Sequence, residues 1–253
     1  MKNYILLKLM NFTKTINSIV YSTALSKFWL IYVFLLPIII PIFFFTQIYE
    51  LKLDEAPYAI FYLTGFLAFS ISFSGYRFAV RSLFLTRKRY YINIRQPLDI
   101  FDKYYDLNLL FFTINFFILL IVIFFYKISF VNFSILNFFL SSLLSYYLGK
   151  SYTLITAFYT ILLKDIRFIG RNLVVIFLLL SSIPFKIPDD KPVLSMIVKY
   201  NPLSVAAEGF RKSIYLPDNF VSLNMIIYMF VVYLIYSILR RYVLKNIYKF
   251  YAL

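Results

Sequence analysis

Long runs of apolar residues, separated by short charged segments, dominate the pattern along the chain. A helix needs about 20 apolar residues to cross a hydrocarbon layer about 30 Å thick. Six segments meet or approach this length and predict six transmembrane helices: residues 28–49, 58–80, 107–126, 130–163, 168–186 and 219–239. The fifth has the shortest apolar core, so Arg171 and Lys186 at its ends must extend their charges back to the two interfaces.

The first 26 residues show a helical rather than a continuous apolar pattern. Apolar residues recur three or four positions apart, at Ile5, Leu9, Phe12, Ile16 and Ile19. This spacing is typical of an amphipathic helix that lies in the membrane interface. The alternative is a cytosolic helix packed on a partner. A signal peptide is not expected, because the segment lacks a compact apolar core and a small-residue cleavage site.

Residues 187–214 carry two short apolar stretches, each too short to cross a bilayer. Asn201 and Pro202 separate them, with asparagine suited to cap the second helix and proline suited to its first position. The pattern predicts a re-entrant helical hairpin at the outer face, with Asn201, Pro202 and Arg211 as residues of an outer gate. The alternative is a surface lid.

Composition supports a membrane protein and excludes several kinds of site. The chain is 62% hydrophobic and 15% charged, whereas soluble domains have about 45–50% apolar and about 25% charged residues. It contains no cysteine and no histidine, which excludes disulfides, thiol nucleophiles, Ser-His-Asp triads and the usual zinc sites. We therefore expect one all-α polytopic membrane domain, residues 1–253, without the usual metal sites; by composition, a site made only of carboxylates stays possible.

The net charge of +15 points to topology rather than to nucleic acid. A nucleic-acid binder clusters its basic residues on a soluble face, but here they lie between apolar runs. Most of the Lys and Arg residues fall in residues 1–27, 81–106, 164–171 and 240–253. By the positive-inside rule these segments are cytoplasmic. The sequence thus predicts a multi-pass protein of the cell (inner, cytoplasmic) membrane with both termini in the cytoplasm.

Three basic residues near the inner ends of spans are candidates for substrate binding. Arg77 and Arg81 lie on one helical face, and Lys150 lies inside an apolar run, where a lysine costs about 2.5–3.5 kcal/mol at the centre of a helix. Guanidinium groups donate paired hydrogen bonds to phosphate, so an anionic head group such as a pyrophosphate fits these residues. The alternatives are positive-inside anchoring for the arginines and extension to the interface for Lys150.

The Gly149-Lys150-Ser151 string does not form a nucleotide site. A phosphate-binding loop needs a glycine five residues before Gly149, and residue 144 is leucine. Any ATP hydrolysis would therefore take place on another chain, which would bind ATP and Mg²⁺. We expect no cofactor in this chain.

The inner loop at residues 87–106 mixes positive charges, carboxylates and tyrosines, and Pro97 can begin a short helix within it. Such a surface is suited to dock a partner protein. The candidate docking residues are Arg87, Arg89, Arg95 and Asp99. The alternative is a loop bound to anionic lipid.

Several short motifs together resemble a transporter family. They are Tyr62-Leu63-Thr64-Gly65, Leu163-Lys164-Asp165, the Ser-Ser-Ile-Pro-Phe stretch at 181–185, Tyr200-Asn201-Pro202-Leu203 and Glu208-Gly209-Phe210-Arg211. The chain resembles the permease subunit of type-2 ABC exporters, in the branch that exports lipid-linked O-antigen, capsule and teichoic-acid polysaccharides. Lys164 stands where the family usually has arginine, and the aromatic-proline step of the first inner loop is not recognisable at residues 94–97.

The resemblance implies a homodimer of permeases bound to two ATPase subunits, with a polymer path along the permease interface. It also implies that this chain has no catalytic residues, no metal site and no enzyme activity of its own. The substrate would be a polyprenyl-pyrophosphate-linked polysaccharide. An exporter of a peptide or a drug is the alternative within transport. A membrane transferase acting on lipid-linked sugars is the alternative among enzymes, but no Asp or Glu falls within any of the predicted apolar runs.

Overall fold

The structure, a computed structural model, describes residues 52–53, 56–89, 97–126, 133–163, 166–184, 192–215 and 223–251. The predicted interface helix 1–26 and the first predicted span 28–49 lie outside these residues. A two-residue antiparallel pair, β1 (Lys52–Leu53) and β2 (Ala56–Pro57), precedes the first described helix.

The rest of the described chain is helical, which confirms the predicted all-α class. Its nine helices are α1 (Tyr58–Phe73), α2 (Tyr76–Arg89), α3 (Pro97–Tyr105), α4 (Leu107–Tyr126), α5 (Ile135–Leu162), α6 (Ile166–Leu179), α7 (Pro192–Tyr200), α8 (Pro202–Ile214) and α9 (Leu223–Tyr251).

Three helical stretches are long and apolar enough to cross a membrane: Tyr58–Ser82, Leu98–Tyr126 and Leu223–Ile247. They contain most of the second, third and sixth predicted spans. The 28 residues of α5 are long enough to cross, at about 42 Å, but include more polar residues. The apolar part of α6, Ile169–Leu179, is shorter. Six spans therefore stay a prediction, of which three have this direct support.

Burial separates the central helices from the peripheral ones. Nearly every residue of α1 is buried, as expected for a helix that is apolar all round. By contrast, α4 and α9 expose large apolar side chains, among them Phe117, Phe124, Phe230 and Ile238. These outward faces are suited to contact lipid.

The long helix α5 is the centre of the packing, since it contacts α1, α2, α6, α8 and α9. Small residues recur along it every four positions, at Ser141, Ser145, Gly149, Thr153 and Ala157, and all five are buried. A stripe of this kind lets helix backbones approach closely in a membrane. A Cβ at position 149 would lie 2.6 Å from the carbonyl carbon of Ser72 in α1, so this position has no room for a side chain.

The predicted span 58–80 is interrupted at Ser74 and Gly75, between α1 and α2. Polar side chains from the start of α4 and the end of α3 satisfy the backbone there. The Gly75 N–H donates to Asn108 Oδ1, and the Tyr105 hydroxyl lies 3.1 Å from the Ser72 carbonyl oxygen. A break inside an apolar bundle requires such partners, because no water is available to supply them.

The two short helices predicted within residues 187–214 are present as α7 and α8. Asn201 Oδ1 accepts a hydrogen bond from the Leu203 N–H at 3.0 Å, and Pro202 occupies the first turn of α8, as the sequence predicts. The helix α8 is largely buried against α1 and α5, whereas α7 buries only Val198.

We expect Gly149→Ala to destabilise the bundle by about 1–3 kcal/mol, because the added methyl group overpacks the contact with the Ser72 backbone. The apparent melting temperature of the detergent-solubilised full chain measures this loss. Ser142→Ala on the same helix is the matched control, since the Ser142 hydroxyl donates only to the Phe138 carbonyl of its own helix in the described contacts. Equal melting temperatures for Gly149→Ala and this control would contradict the proposed close approach.

Candidate functional site

Two buried cations mark opposite ends of the helical bundle. At the basic end, Lys150 of α5 lies against α3 and the middle of α9. At the hairpin end, Arg211 lies among α8, the start of α1 and the segment that follows α6. The charges at the two sites are neutralised by different kinds of partner.

Lys150 is only 7% exposed and forms an ion pair with α3. Its Nζ lies 3.0 Å from Asp102 Oδ1 and donates to the Tyr146 hydroxyl at 2.9 Å. Tyr146 precedes Lys150 by one helical turn, so both side chains project from the same face of α5. The structure therefore places the lysine charge inside the bundle, in contact with a carboxylate, rather than extended to the interface.

Three tyrosine rings surround the Lys150 ammonium group. Its Nζ lies 4.9 Å from the ring centroid of Tyr146, 5.5 Å from that of Tyr236 and 5.8 Å from that of Tyr105. A cation over an aromatic face gains about 0.5–2 kcal/mol, and more as water is removed. The three rings come from three different segments, so the cage forms only when α5, α9 and the end of α3 are assembled.

Asp102 is shared between two helices. Its Oδ2 also accepts from Arg240 Nη2 of α9 at 3.4 Å, and its side chain is 24% exposed. Asp106, one turn further along, accepts from the Tyr146 hydroxyl at 2.8 Å. We call the six residues Asp102, Tyr105, Tyr146, Lys150, Tyr236 and Arg240 the Lys150 cluster. Removing one partner of a buried ion pair costs about 3–5 kcal/mol, and the partial exposure of Asp102 reduces that cost here.

The structure groups Arg77 and Arg81 with a third arginine rather than with Lys150. Arg77 is half-buried at the start of α2, and the positive charges of Arg171 in α6 and of Arg81 both act on it. Next to Arg171, the Tyr152 hydroxyl of α5 donates to the Gly170 carbonyl of α6 at 2.7 Å and ties α6 to α5. Of the three substrate-binding candidates, two therefore lie in this arginine group, and Lys150 lies in its own cluster.

Arg211 is 2% exposed and holds α8 to two other segments. Its Nη2 donates to the Ser182 carbonyl at 2.7 Å, and its Nη1 donates to the Ser182 hydroxyl at 3.2 Å. Nη2 also donates to the Phe61 carbonyl at 3.3 Å, and the guanidinium carbon lies 3.6 Å above the Phe61 ring. A Cβ at position 65 would lie 2.8 Å from Nη2, so Gly65 leaves room for this guanidinium group.

Asn201 also lies at the hairpin end, where it binds the end of α6. Its Nδ2 donates to the Leu180 carbonyl at 3.0 Å and to the Phe177 carbonyl at 3.4 Å, at the end of α6, while its Oδ1 caps α8. Ser204 Oγ accepts from the Ser182 N–H at 3.0 Å. Of the three gate candidates, Asn201 and Arg211 thus tie α8 to its neighbours, and Pro202 lies between them in sequence.

The structure describes three of the four candidate docking residues. Arg87 and Arg89 are in the last turn of α2, and Arg95 lies outside the described residues. Asp99 is exposed on α3, which begins at Pro97 as predicted. Within the described ranges, no group of three or more carboxylate, His or Cys residues is placed to hold a metal ion.

Sequence reasoning missed several residues of both sites. Asp102, Tyr105, Tyr146, Tyr236 and Arg240 were not singled out as site residues, nor were Phe61 and Ser182. One signal was available, since Tyr146 and Lys150 stand one turn apart and a buried lysine needs polar partners. No spacing along the chain connects Arg240 with Asp102, because they are brought together only by packing.

No protein-family model matches this chain, and no curated protein matches it. The likeness to ABC exporter permeases therefore depends on the sequence motifs alone.

We expect Arg211→Lys to destabilise the chain by about 1–3 kcal/mol, because lysine cannot reach both carbonyls and leaves a buried acceptor unpaired. The melting temperature of the purified full chain tests this. Lys199→Met, which removes an exposed cation from α7, is the control and should melt near the wild type. A wild-type melting temperature for Arg211→Lys would show that the guanidinium fork is dispensable.

Proposed function

We propose that the chain is the membrane-spanning subunit of an ABC transporter that exports a polyprenyl-pyrophosphate-linked polysaccharide. It would be a six-span permease of the cell (inner, cytoplasmic) membrane with both termini in the cytoplasm. O-antigen, capsule and teichoic-acid precursors are the substrate class of the family it resembles.

One observation carries this proposal: four separate motifs of the resemblance meet at the hairpin end. Gly65 lies against Ile183 and Arg211, Arg211 binds Ser182, and Asn201 binds the carbonyl that precedes the 181–185 stretch. Residues 62–65 are distant in sequence from the other three motifs, yet all four contribute to one joint. The motifs are therefore parts of a single structural unit, as expected if the whole pattern belongs to one family architecture.

The energy source would be a separate pair of ATPase subunits, which bind ATP and Mg²⁺. Their docking surface would be the basic end, where α3 and the end of α2 carry Asp99, Arg87 and Arg89 and where residues 90–96 connect them. A short amphipathic helix between two spans is suited to this role, because it can be displaced as a rigid body. Two copies of the chain would face each other across the polymer path.

The pyrophosphate would be received by arginines at the inner mouth. Arg77 and Arg81 would bind the pyrophosphate, as expected from the sequence. Arg171 would bind it with them, because α6 brings Arg171 near Arg77. Charge-assisted, forked hydrogen bonds make arginine suited to a pyrophosphate. Lys150, already paired with Asp102, contributes less to this site than the sequence suggested.

The hairpin α7–α8 would close the outer end of the path. Asn201, Pro202 and Arg211 fix α8 against the bundle, and α7 is bound more loosely, with most of its residues exposed. A movable α7 on an anchored α8 is a suitable arrangement for a gate that opens to release polymer.

We expect the tagged full chain, purified from its native membrane, to retain an ABC ATPase at one copy per permease. Asp99→Arg should weaken this association, since it reverses an exposed charge on α3. Arg241→Glu, an exposed reversal on α9, is the control and should retain the ATPase. Purification without any ATPase, under conditions that keep the chain folded, would refute the transporter assignment.

We expect the triple variant Arg77→Gln, Arg81→Gln, Arg171→Gln to lose response to substrate in proteoliposomes. The concentration of a polyprenyl-pyrophosphate-linked oligosaccharide that stimulates ATP hydrolysis should rise by about tenfold or more, because each lost charge-assisted bond is worth about 1.5–3 kcal/mol. Lys245→Gln, an exposed cation, is the control. Stimulation by peptides or drugs, but not by the lipid-linked sugar, would favour the other exporter class.

A further inference from the structure

The inner-loop helix α3 is tied to the centre of the bundle mainly by side chains. Its backbone packs on α2 and on the start of α4, and it makes no comparable approach to α5 or α9 within the described chain. Across that gap, Asp102 bonds to Lys150 and Arg240, and Tyr105 reaches the Tyr146 carbonyl at 2.9 Å. Long side chains that bridge two packed bodies can release without unfolding either of them.

We propose that the Asp102–Lys150 pair is a latch that holds α3 against α5 and opens when α3 is displaced. Asp102 already has a second cation, Arg240, whose side chain is 43% exposed and lies on the wetter side of the carboxylate. When the latch opens, Asp102 stays paired with Arg240, and Lys150 remains beside the rings of Tyr146 and Tyr236.

The tyrosine cage makes the open state accessible. An isolated buried lysine would be costly, but Lys150 keeps the aromatic faces of Tyr146 and Tyr236 and the Tyr146 hydroxyl when Asp102 leaves with α3. The closed and open arrangements then differ by one ion pair and the Tyr105 contacts rather than by a bare buried charge. Two states separated by a small free energy are what a switching element requires.

The latch has a defined target, the break between α1 and α2. Tyr105 follows Asp102 by less than one turn of α3, and its hydroxyl contacts the Ser72 carbonyl at 3.1 Å and the Ile71 carbonyl at 3.4 Å. Displacing α3 therefore removes the Tyr105 hydroxyl from the break, three residues before Gly75 and five before Arg77. Lys150 is on this account a positioning residue that ties the inner loop to the mouth of the bundle.

The latch rests on the proposed function only for the source of the force, which would be a bound ATPase. The ion pair itself belongs to this chain, so it can be tested without the partner. The native chain has no cysteine, which allows paired spin labels at introduced cysteines without removing any native residue.

The test measures the distance between α3 and α5 in the full chain, reconstituted in lipid nanodiscs. Spin labels at Lys103→Cys and Tyr159→Cys, both exposed positions, report the separation by pulsed electron resonance. With the native pair we expect one narrow distance population. Asp102→Asn, which keeps the shape and removes the charge, should raise a longer-distance population at least fivefold, and Lys150→Met should do the same.

Two variants separate a latch from a simple structural contact. Lys150→Arg keeps the cation and should restore the single population, whereas Lys245→Met, an exposed cation on α9, should leave the distance unchanged. Melting temperatures verify that each variant is folded. If Lys150→Met does not fold, Asp102→Asn alone provides the test. An unchanged narrow distance in folded Asp102→Asn overturns the latch.

A second arm separates the latch from the proposed function. In the complex with its ATPase, a non-hydrolysable ATP analogue should move the native chain toward the longer distance that Asp102→Asn shows alone. A distance change in the latch variants without any purified ATPase partner supports the latch and counts against the ABC assignment. A response to the analogue that is identical in native chain and Asp102→Asn overturns the latch while leaving the transporter intact.

Discussion

The close approach of α5 to α1 is the constraint on which the rest of the structure depends. Gly149 lies against the Ser72 backbone, and the Ser72 hydroxyl donates to the Ser145 carbonyl at 2.8 Å. In an apolar solvent, helices gain little by burying apolar surface, so small residues and interhelical hydrogen bonds must hold them together. With α5 fixed this closely, Lys150, the next residue, is carried into the bundle beside α3.

The two buried cations stabilise the bundle in different ways, and this difference has a functional consequence. Arg211 binds carbonyl oxygens of two other segments, which are backbone groups that cannot move without the segments themselves. Lys150 binds a side-chain carboxylate that a second cation also contacts. The hairpin end is therefore anchored, and the basic end is adjustable. This asymmetry suits the transporter proposed above, in which force would enter at one end while the other end holds until release.

Only part of the candidate site was predicted from the chain, and the grouping of its members was not. The capping of α8 by Asn201 and the start of α3 at Pro97 follow from local preferences, so sequence reasoning found them. Arg77 and Arg81 were paired correctly because helical spacing decides that contact. Arg171 was assigned only to anchor the fifth span, since its proximity to Arg77 depends on how α6 lies across α2 and α5. Arg171 can anchor the fifth span and also lie near Arg77.

The sequence by itself determined the helical class, three strongly apolar spans and the two-helix segment near the hairpin end, because apolar run length and capping act locally. Tertiary structure alone decided the partners of the buried charges. Asp102, Lys150 and Arg240 are distant along the chain, and nothing in their spacing brings them together. The four-residue spacing of the small residues on α5 is present in the sequence, but the sequence does not show that Ser72 and Gly209 pack against them. A buried charge must find its counter-charge by packing, and packing is settled only when all the helices are in place.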